Sequence, residues 1–176
     1  MIKLSFKIII LIMSFFWMNC LKAQEKNQNL DHFNQKTADS LFTEISSTIY
    51  DSFYTSSYMS TTNSTFTVLK IDINKQGKVT GINFSDSADS TFVKAYTNRK
   101  KWHDDTATLE KYAKINSYTD LSLLIPVSFE PNYPYQKKLF SYDELESIMK
   151  FGKNSFTGKS VLFSLIRITV LPHGNM

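Results

Sequence analysis

The amino-acid sequence predicts an α+β domain in which an antiparallel sheet with a central hairpin carries helices on one face. Three patterns predict it: two alternating segments joined by a glycine turn, several segments with apolar residues at helical spacing, and two further apolar segments of strand length. Hairpins combined with segregated helices favour an antiparallel sheet. The chain has 176 residues, of which 42% are hydrophobic and 14% aromatic, so it can bury one core.

The hairpin is the clearest element of the sequence. The segment TFTVLKIDI places Leu69, Ile71 and Ile73 on one face and polar residues on the other, as a half-buried strand requires. Gly77 follows in a short polar turn, where a glycine adopts positive φ without strain. Residues 79–85 then resume a strand, which completes the hairpin.

A helix is predicted from Thr37 to Phe53, because apolar residues recur there at three- and four-residue spacing. Residues 55–67 are mostly Ser and Thr, which compete with the backbone for hydrogen bonds and favour a loop passing into a strand. The apolar stripe of the helix consists of Ala38, Leu41, Phe42, Ile45, Ile49 and Phe53.

Three shorter helices are predicted from residues that can satisfy free amides at a helix start. The capping candidates are Ser85, Asp86 or Ser87 for the first, Asp104 or Asp105 for the second, and Ser141 with Glu144 as a capping box for the third. The third helix is expected to stop near Gly152.

Two more strands are predicted, at Leu121–Phe129 and Val161–Leu171. Pro126 cannot donate a ladder hydrogen bond, so it is expected at a bulge or on an unpaired edge. In the last strand, four apolar residues are expected to share one face. They are Leu162, Ile166, Ile168 and Val170.

The N-terminal residues 1–23 have the pattern of a cleavable export signal: basic residues, an 11-residue apolar run at Ile8–Met18, and Ala23 before the expected cut. That run is shorter than the about 20 residues of a membrane-spanning helix. Residues 24–36 are expected to form a mobile polar lead, and residues 37–176 a single domain. The expected location is the periplasm or the outside of the cell.

Cys20 leaves an alternative open, because a cysteine after a short apolar run can become the lipidated first residue of an outer-membrane lipoprotein. The residues before it, Trp17 and Asn19, fit that signal poorly. Removing residues 1–23 takes away three lysines and no acid, which leaves 17 basic and 16 acidic residues. This near-neutral balance gives no reason to expect a nucleic-acid partner.

The sequence predicts no catalytic, cofactor-binding or metal-binding residues. Gly158-Lys159-Ser160 lacks the spacing and the strand-then-helix setting of a phosphate loop. His103-Asp104-Asp105 is interpreted as an exposed helix cap, since a zinc site needs three or four ligands. Asp86 and Asp89 are interpreted as caps, and a nucleophile elbow is missing from the sequence. The protein is therefore expected to be a non-enzyme without a cofactor.

The segment Tyr133–Tyr142 is the candidate partner-binding surface, together with a sheet edge at Leu121–Phe129. Exposed aromatic rings with a polar tip suit protein surfaces. The candidate contact residues are Tyr133, Tyr135, Phe140 and Tyr142.

Residues 66–129 resemble a TonB C-terminal domain. The resemblance lies in VLKIDINKQGKVTGINFSDSADSTFVKAY and in LLIPVSF. It implies a small α+β domain that pairs strands with partner segments in the bacterial envelope, with no catalytic residues. All four prolines lie at or beyond Pro126, so the Pro-rich linker of an energy transducer is missing and that role is not expected.

The expected function is therefore that of an exported, non-enzymatic envelope protein that recognises a protein or peptide partner. The alternatives are a lipoprotein anchored through Cys20 and a small exported hydrolase with an unrecognised site. The sequence leaves the oligomeric state and the identity of the partner open.

Overall fold

Helices and strands were assigned in a computed structural model that describes residues 31–32, 34–53, 64–98, 102–131 and 141–170. Contacts group the chain into two compact units, Met1–Ser40 and Leu41–Met176. In the first unit the described residues are helical, and the Gln35 amide donates a hydrogen bond of 2.8 Å to the Asp39 carboxylate. Helix therefore begins before Thr37, within the expected polar lead, because a side-chain pair one turn apart supports it.

The second unit contains all described strands and most of the described helical residues. Its helices are α1 (residues 41–53), α2 (Ser90–Thr97), α3 (Trp102–Ile115) and α4 (Tyr142–Ser147). Its strands are β1 (Thr65–Ile73), β2 (Val79–Phe84), β3 (Leu121–Pro131), β4 (Lys150–Phe151), β5 (Asn154–Ser155), β6 (Ser160–Leu162) and β7 (Ile166–Val170). Strands β4 and β5 form a small separate hairpin, and the others form one sheet.

The main sheet has the order β2-β1-β3, and both β6 and β7 pair with the far side of β3. Strand β1 is antiparallel to β2 and β3, whereas β6 and β7 run parallel to β3. The predicted α+β class with a mostly antiparallel sheet is confirmed. The expectation of an open edge at Leu121–Phe129 is wrong, because β3 has partners on both sides. Among the described strands, the edges of the main sheet are β2 on one side and β6 with β7 on the other.

The predicted hairpin is present as β1 and β2, with β2 at one edge of the sheet. Gly77 has φ +72° and donates its N–H to the Asn74 carbonyl at 3.0 Å. The Asn74 side chain also accepts the N–H groups of Gln76 and Lys78, both at 2.9 Å. The turn therefore depends on one asparagine and on a glycine in the left-handed region.

One face of the sheet carries α1, α2 and α3. Phe53 of α1 is fully buried, stacked on Phe92 of α2 at 4.3 Å and tilted against Phe129 of β3 at 6.1 Å. The stripe predicted for α1 and the inward face predicted for β1 are both confirmed. Their buried members in this unit are Leu41, Ile45, Ile49, Phe53, Leu69, Ile71 and Ile73.

Two helix starts differ from the sequence prediction. Asp89, rather than Ser85, Asp86 or Ser87, caps α2 by accepting the Phe92 N–H at 2.7 Å. Helix α3 begins at Trp102, so Asp104 and Asp105 lie within its first turns and cannot cap it. The capping box predicted for α4 is confirmed, with Ser141 as N-cap, although α4 ends at Ser147.

The predicted last strand is divided into β6 and β7 by three residues, 163–165. Leu162 pairs with Leu124, whereas Ile166 pairs with Val127. Since side chains alternate along β3, these two pairs lie on opposite faces of the sheet. The expectation that Leu162 shares the face of Ile166 is therefore wrong, and the interruption is the reason.

Candidate functional site

The residues predicted to bind a partner are only partly described. Tyr133, Tyr135 and Phe140 lie outside the described residues. Tyr142 is the first residue of α4, and its side chain is 81% exposed. The structure therefore places one of the four candidates on the surface.

The carboxylates of Asp86 and Asp89 both accept backbone hydrogen bonds. Asp86 accepts the N–H groups of Gly152 and Lys153 at 2.8 and 2.6 Å, which ties the β4–β5 turn to the loop after β2. Asp89 caps α2. Among the described residues, no group of three or more His, Cys, Asp or Glu side chains is placed to hold a metal ion.

The motifs His103-Asp104-Asp105 and Gly158-Lys159-Ser160 lie in a helix and at the start of a strand, respectively. Asp105 is buried in α3, so the interpretation of His103-Asp104-Asp105 as an exposed cap is wrong for this residue. The residue pair Lys159-Ser160 leads into β6, and the Lys159 carbonyl accepts the Ser122 N–H at 2.9 Å. Strand geometry after this segment does not present successive amides to a phosphate.

A polar cluster lies on the face of the sheet opposite α1 to α3. Ser122 of β3 donates its hydroxyl to the Asp72 carboxylate at 2.6 Å, and the Lys70 ammonium lies 3.1 Å from the same carboxylate. The ammonium also lies 5.1 Å from the centre of the Phe151 ring. The cluster joins β1, β3 and β4 through a paired charge, which stabilises their packing.

Backbone hydrogen bonds show which groups of each edge point outward. The Ser85 N–H donates to the Val68 carbonyl at 2.8 Å, so alternate residues of β1 face β2. By the alternation of an antiparallel ladder, the N–H and C=O groups of Ile82 and Phe84 point away from the sheet. Strand β2 thus has outward-facing main-chain groups along its length.

Side chains from a helix and an irregular ladder block the beginning of the β2 edge. The ladder shifts register between Asp72 and Ile73. Glu110 of α3 accepts the Val79 N–H at 3.3 Å and the Lys78 ammonium at 2.6 Å. The hydrogen bond from Lys78 lowers the pKa of the Glu110 carboxyl below its ordinary value. Such bulges and charges are the usual protection of a sheet edge against pairing.

At the opposite edge of the sheet, formed by β6, the outward-pointing main-chain groups belong to Ser160 and Leu162. The Phe163 N–H donates to the Leu124 carbonyl at 2.9 Å, and the Lys159 carbonyl accepts the Ser122 N–H at 2.9 Å. The main-chain groups of Lys159 and Phe163 therefore face β3, and those of every second residue between them face away. Ser160 and Leu162 therefore direct their N–H and C=O groups away from β3. Within the described residues, β6 has no second partner strand.

The break between β6 and β7 lies opposite Pro126. Pro126 pairs with Val68 of β1, whose polar groups face β2, so the missing N–H of Pro126 faces the β6–β7 side. Because β3 lacks a donor here, the outer chain leaves the ladder and resumes at Ile166. Pro126 was expected at a bulge or on an unpaired edge. It instead lies within β3, and the strand beside it is interrupted at this position.

The interruption leaves two leucines in contact with solvent. Leu162 is 69% exposed and Leu165 is 50% exposed. Phe163 between them turns toward the helices and stacks on Phe42 of α1 at 5.0 Å, with Tyr112 of α3 at 5.7 Å. The aromatic ring fixes the segment in place. We call the outward side of residues 160–165 the β6 edge.

Beyond this edge, Arg167 of β7 forms an ion pair with Glu130 of β3, at 2.5 Å. Sequence reasoning missed the β6 edge, since it treated Val161–Leu171 as one regular strand. Two signals were available: Pro126 in the neighbouring strand, and the polar Ser164 between two leucines.

Comparison with protein-family models, curated proteins and solved structures found no match for this chain. In the described part of the chain, none of the helices combines the length and the apolar character that crossing a membrane requires. The arrangement of the site itself therefore carries the functional argument.

Proposed function

We propose that this protein is exported to the bacterial envelope, is not an enzyme, and binds an extended segment of a partner protein or peptide along the β6 edge. The observation that carries the proposal is the edge of β6, which has no second partner strand among the described residues and carries two exposed leucines. The export pattern of residues 1–23 and the resemblance of residues 66–129 to a TonB C-terminal domain support the setting.

Main-chain pairing supplies the affinity in this proposal. Ser160 and Leu162 each present one outward N–H and one outward C=O, in the geometry of an extended strand. A segment that adds a strand here satisfies these groups, and such pairing depends little on the partner's side chains. Strand β6 is short, so the pairing is local and reversible.

The leucines supply selectivity. Burying a leucine side chain completely contributes about 1.5–3 kcal/mol, and both side chains are at least half exposed before binding. A partner segment with an apolar side chain opposite Leu162 and a second near Leu165 buries both. A strongly charged segment leaves them hydrated and binds more weakly.

Site-specific photo-crosslinking tests the proposal. A photoreactive amino acid replaces Leu162 in the full chain, which is expressed and exported in a bacterial host, and crosslinked products are identified by mass spectrometry. The matched control places the same residue at Thr80, which is exposed on β2. We expect a discrete adduct from position 162 and none from position 80. Equal labelling from both positions, or no adduct at position 162, contradicts the proposal.

Processing and activity separate the two alternatives from the main proposal. We expect the mature chain to begin at Gln24, whereas a diacylated Cys20 at the N-terminus identifies a lipoprotein. Ester, glycan or peptide hydrolysis that increases in proportion to the pure protein identifies an enzyme. Intact-mass analysis and a substrate panel measure these outcomes.

A further inference from the structure

We infer that the β4–β5 hairpin is a strap that opens as a unit and uncovers the polar cluster of Lys70, Asp72 and Ser122, and that the Asp86 carboxylate holds it closed. The strap consists of residues 149–156, whose two ends are joined by a hydrogen bond of 2.8 Å from the Phe156 N–H to the Met149 carbonyl. The inference does not depend on partner binding at the β6 edge, because it concerns a face of the sheet rather than its edge.

The strap lies over the face of the main sheet opposite α1 to α3. The centre of the Phe151 ring is 5.1 Å from the Lys70 ammonium, and the Lys70 side chain is only 19% exposed. Leu124 pairs with Lys70 across β1 and β3, so the two side chains share this face, and Leu124 is buried. Opening the strap takes the ring away from the ammonium and therefore gives solvent and other molecules access to the cluster.

The strap has little packing of its own. Lys150, Phe151 and Phe156 are half-buried, and the other residues of the strap are exposed. The two phenylalanine rings contact each other edge to face at 6.1 Å. A two-stranded hairpin is marginally stable by itself, and a segment with few buried contacts opens at a lower free energy than the core. The strap can therefore open while the main sheet stays folded.

Asp86, in the loop after β2, holds the strap by three hydrogen bonds. Its N–H donates to the Lys150 carbonyl at 2.8 Å, and its carboxylate accepts the N–H groups of Gly152 and Lys153 at 2.8 and 2.6 Å. Bonds to an ionised carboxylate are stronger than neutral ones. Lys153 has φ +69°, which is strained for a residue with a side chain. Loss of the carboxylate therefore removes the attachment and the restraint on a strained turn together.

Gly158 is placed to act as the hinge between the strap and β6. It has φ +144°, which residues with a side chain rarely adopt. The next residue, Lys159, is held on the sheet because its carbonyl accepts the Ser122 N–H. Hinges are a few residues that absorb large changes of φ and ψ, so the strap can turn while Lys159 stays in place.

Amide hydrogen exchange of the unmodified chain, followed by NMR at low urea concentrations, tests whether the strap opens by itself. We expect the amides of Gly152 and Lys153 to exchange faster, and with less dependence on urea, than those of Leu69 and Ile125 in the buried strands. The reason is that a local opening exposes less surface than global unfolding. Exchange of all four amides through the same global unfolding overturns the inference.

Labelling of Lys70 by an acetylating reagent, measured by mass spectrometry, tests the part of Asp86. An asparagine has one acceptor oxygen in place of two. Asp86→Asn is therefore expected to raise the labelling rate of Lys70 about tenfold, as the loss of one hydrogen bond to a charged group does to an equilibrium. Exposed Lys75, in the β1–β2 turn, is the internal reference.

The matched control is Asp143→Asn, which removes another exposed carboxylate that acts on Lys150. We expect it to leave the labelling rate of Lys70 unchanged. Circular dichroism confirms that both variants are folded. An unchanged rate in Asp86→Asn, or an equal increase in the control, overturns the inference. If Asp86→Asn unfolds, the exchange measurement on the unmodified chain decides.

Discussion

The two edges of the main sheet differ in how well they are protected against pairing with another strand. Strand β2 is continuous, but its start is blocked by a register shift and by Glu110, which binds the Val79 N–H. The β6 edge is interrupted opposite Pro126 and leaves Leu162 and Leu165 in solvent. The start of the β2 edge is thus protected by charge and irregularity, whereas the β6 edge combines main-chain groups that no described strand pairs with and exposed apolar side chains. This difference favours the second edge as the binding edge.

Both edges are nevertheless fixed to the helices by one aromatic ring each. Phe84 of β2 makes edge-to-face contacts with Phe92 at 5.2 Å and Tyr96 at 5.0 Å. Phe163 beside β6 contacts Phe42 and Tyr112. The openness of the β6 edge is therefore not the result of weak packing beneath it.

The largest expected effects come from removing these two rings. Phe84→Ala and Phe163→Ala should each lower the free energy of unfolding by about 2–4 kcal/mol, since both rings are half-buried and the fully buried case costs more. Urea unfolding followed by circular dichroism measures it. An exposed control, Tyr142→Ala, should change it by less than about 0.5 kcal/mol. A loss at Phe163 far smaller than at Phe84 shows that the β6 edge is loosely attached.

Gly77→Val is expected to destabilise the β2 side by about 1–2 kcal/mol, because a β-branched residue is strained at φ +72°. Gln76→Val, at the exposed neighbouring position, is the matched control. Thermal unfolding compares the two variants. If Gly77→Val is neutral, the turn that sets the register of β2 is placed incorrectly.

Acid is expected to loosen the start of the β2 edge. Lys78 lowers the pKa of Glu110 from 4.5, so the stability that this pair contributes is present above about pH 4.5 and is lost as the pH falls through the lowered pKa. The Lys78 side chain is 64% exposed, so the contribution of the pair is small. The protection factor of the Val79 amide, the ratio of its intrinsic to its measured hydrogen-exchange rate at the same pH, should fall below that pH. Glu110→Gln should remove this dependence, and a persistent dependence assigns it to another group.

Pro126→Ala is expected to have the smallest effect, about 0.5 kcal/mol or less, because the restored N–H faces the interruption rather than a partner. Ile125→Pro is the matched control, since the Ile125 N–H faces β1 and its loss breaks the ladder. Differential scanning calorimetry measures both. A large loss in Pro126→Ala contradicts the assigned direction of this residue.

The sequence predicts the α+β class, the β1–β2 hairpin and the stripe of α1, because each depends on local periodicity and a turn residue. It does not predict which strand lies at an edge, since β3 and β6 are both apolar and their pairing is non-local. The break after Leu162 depends on Pro126, 36 positions earlier in the chain. A site formed by two distant segments leaves no periodic pattern in either segment.

The candidate contact residues show the same limit. The capping box at Ser141 is a local signal, and it predicts the helix start at which the exposed Tyr142 lies. Helical spacing predicts an apolar face without saying whether another element covers it, so the exposure of Leu145 and Met149 does not follow from the sequence. Whether such a face is buried or exposed depends on the tertiary structure, which the spacing of residues along one helix does not determine.

Main-chain pairing at the β6 edge is tested most directly by removing one outward donor. With a photoreactive residue at position 165, Leu162→Pro should lower the crosslinking yield about tenfold while the thermal midpoint stays nearly unchanged, because the Leu162 N–H points away from β3 and an edge strand tolerates proline. Leu162→Ala, which keeps the N–H, separates the lost donor from the lost side chain. A yield in Leu162→Pro equal to that in Leu162→Ala contradicts strand addition at this edge.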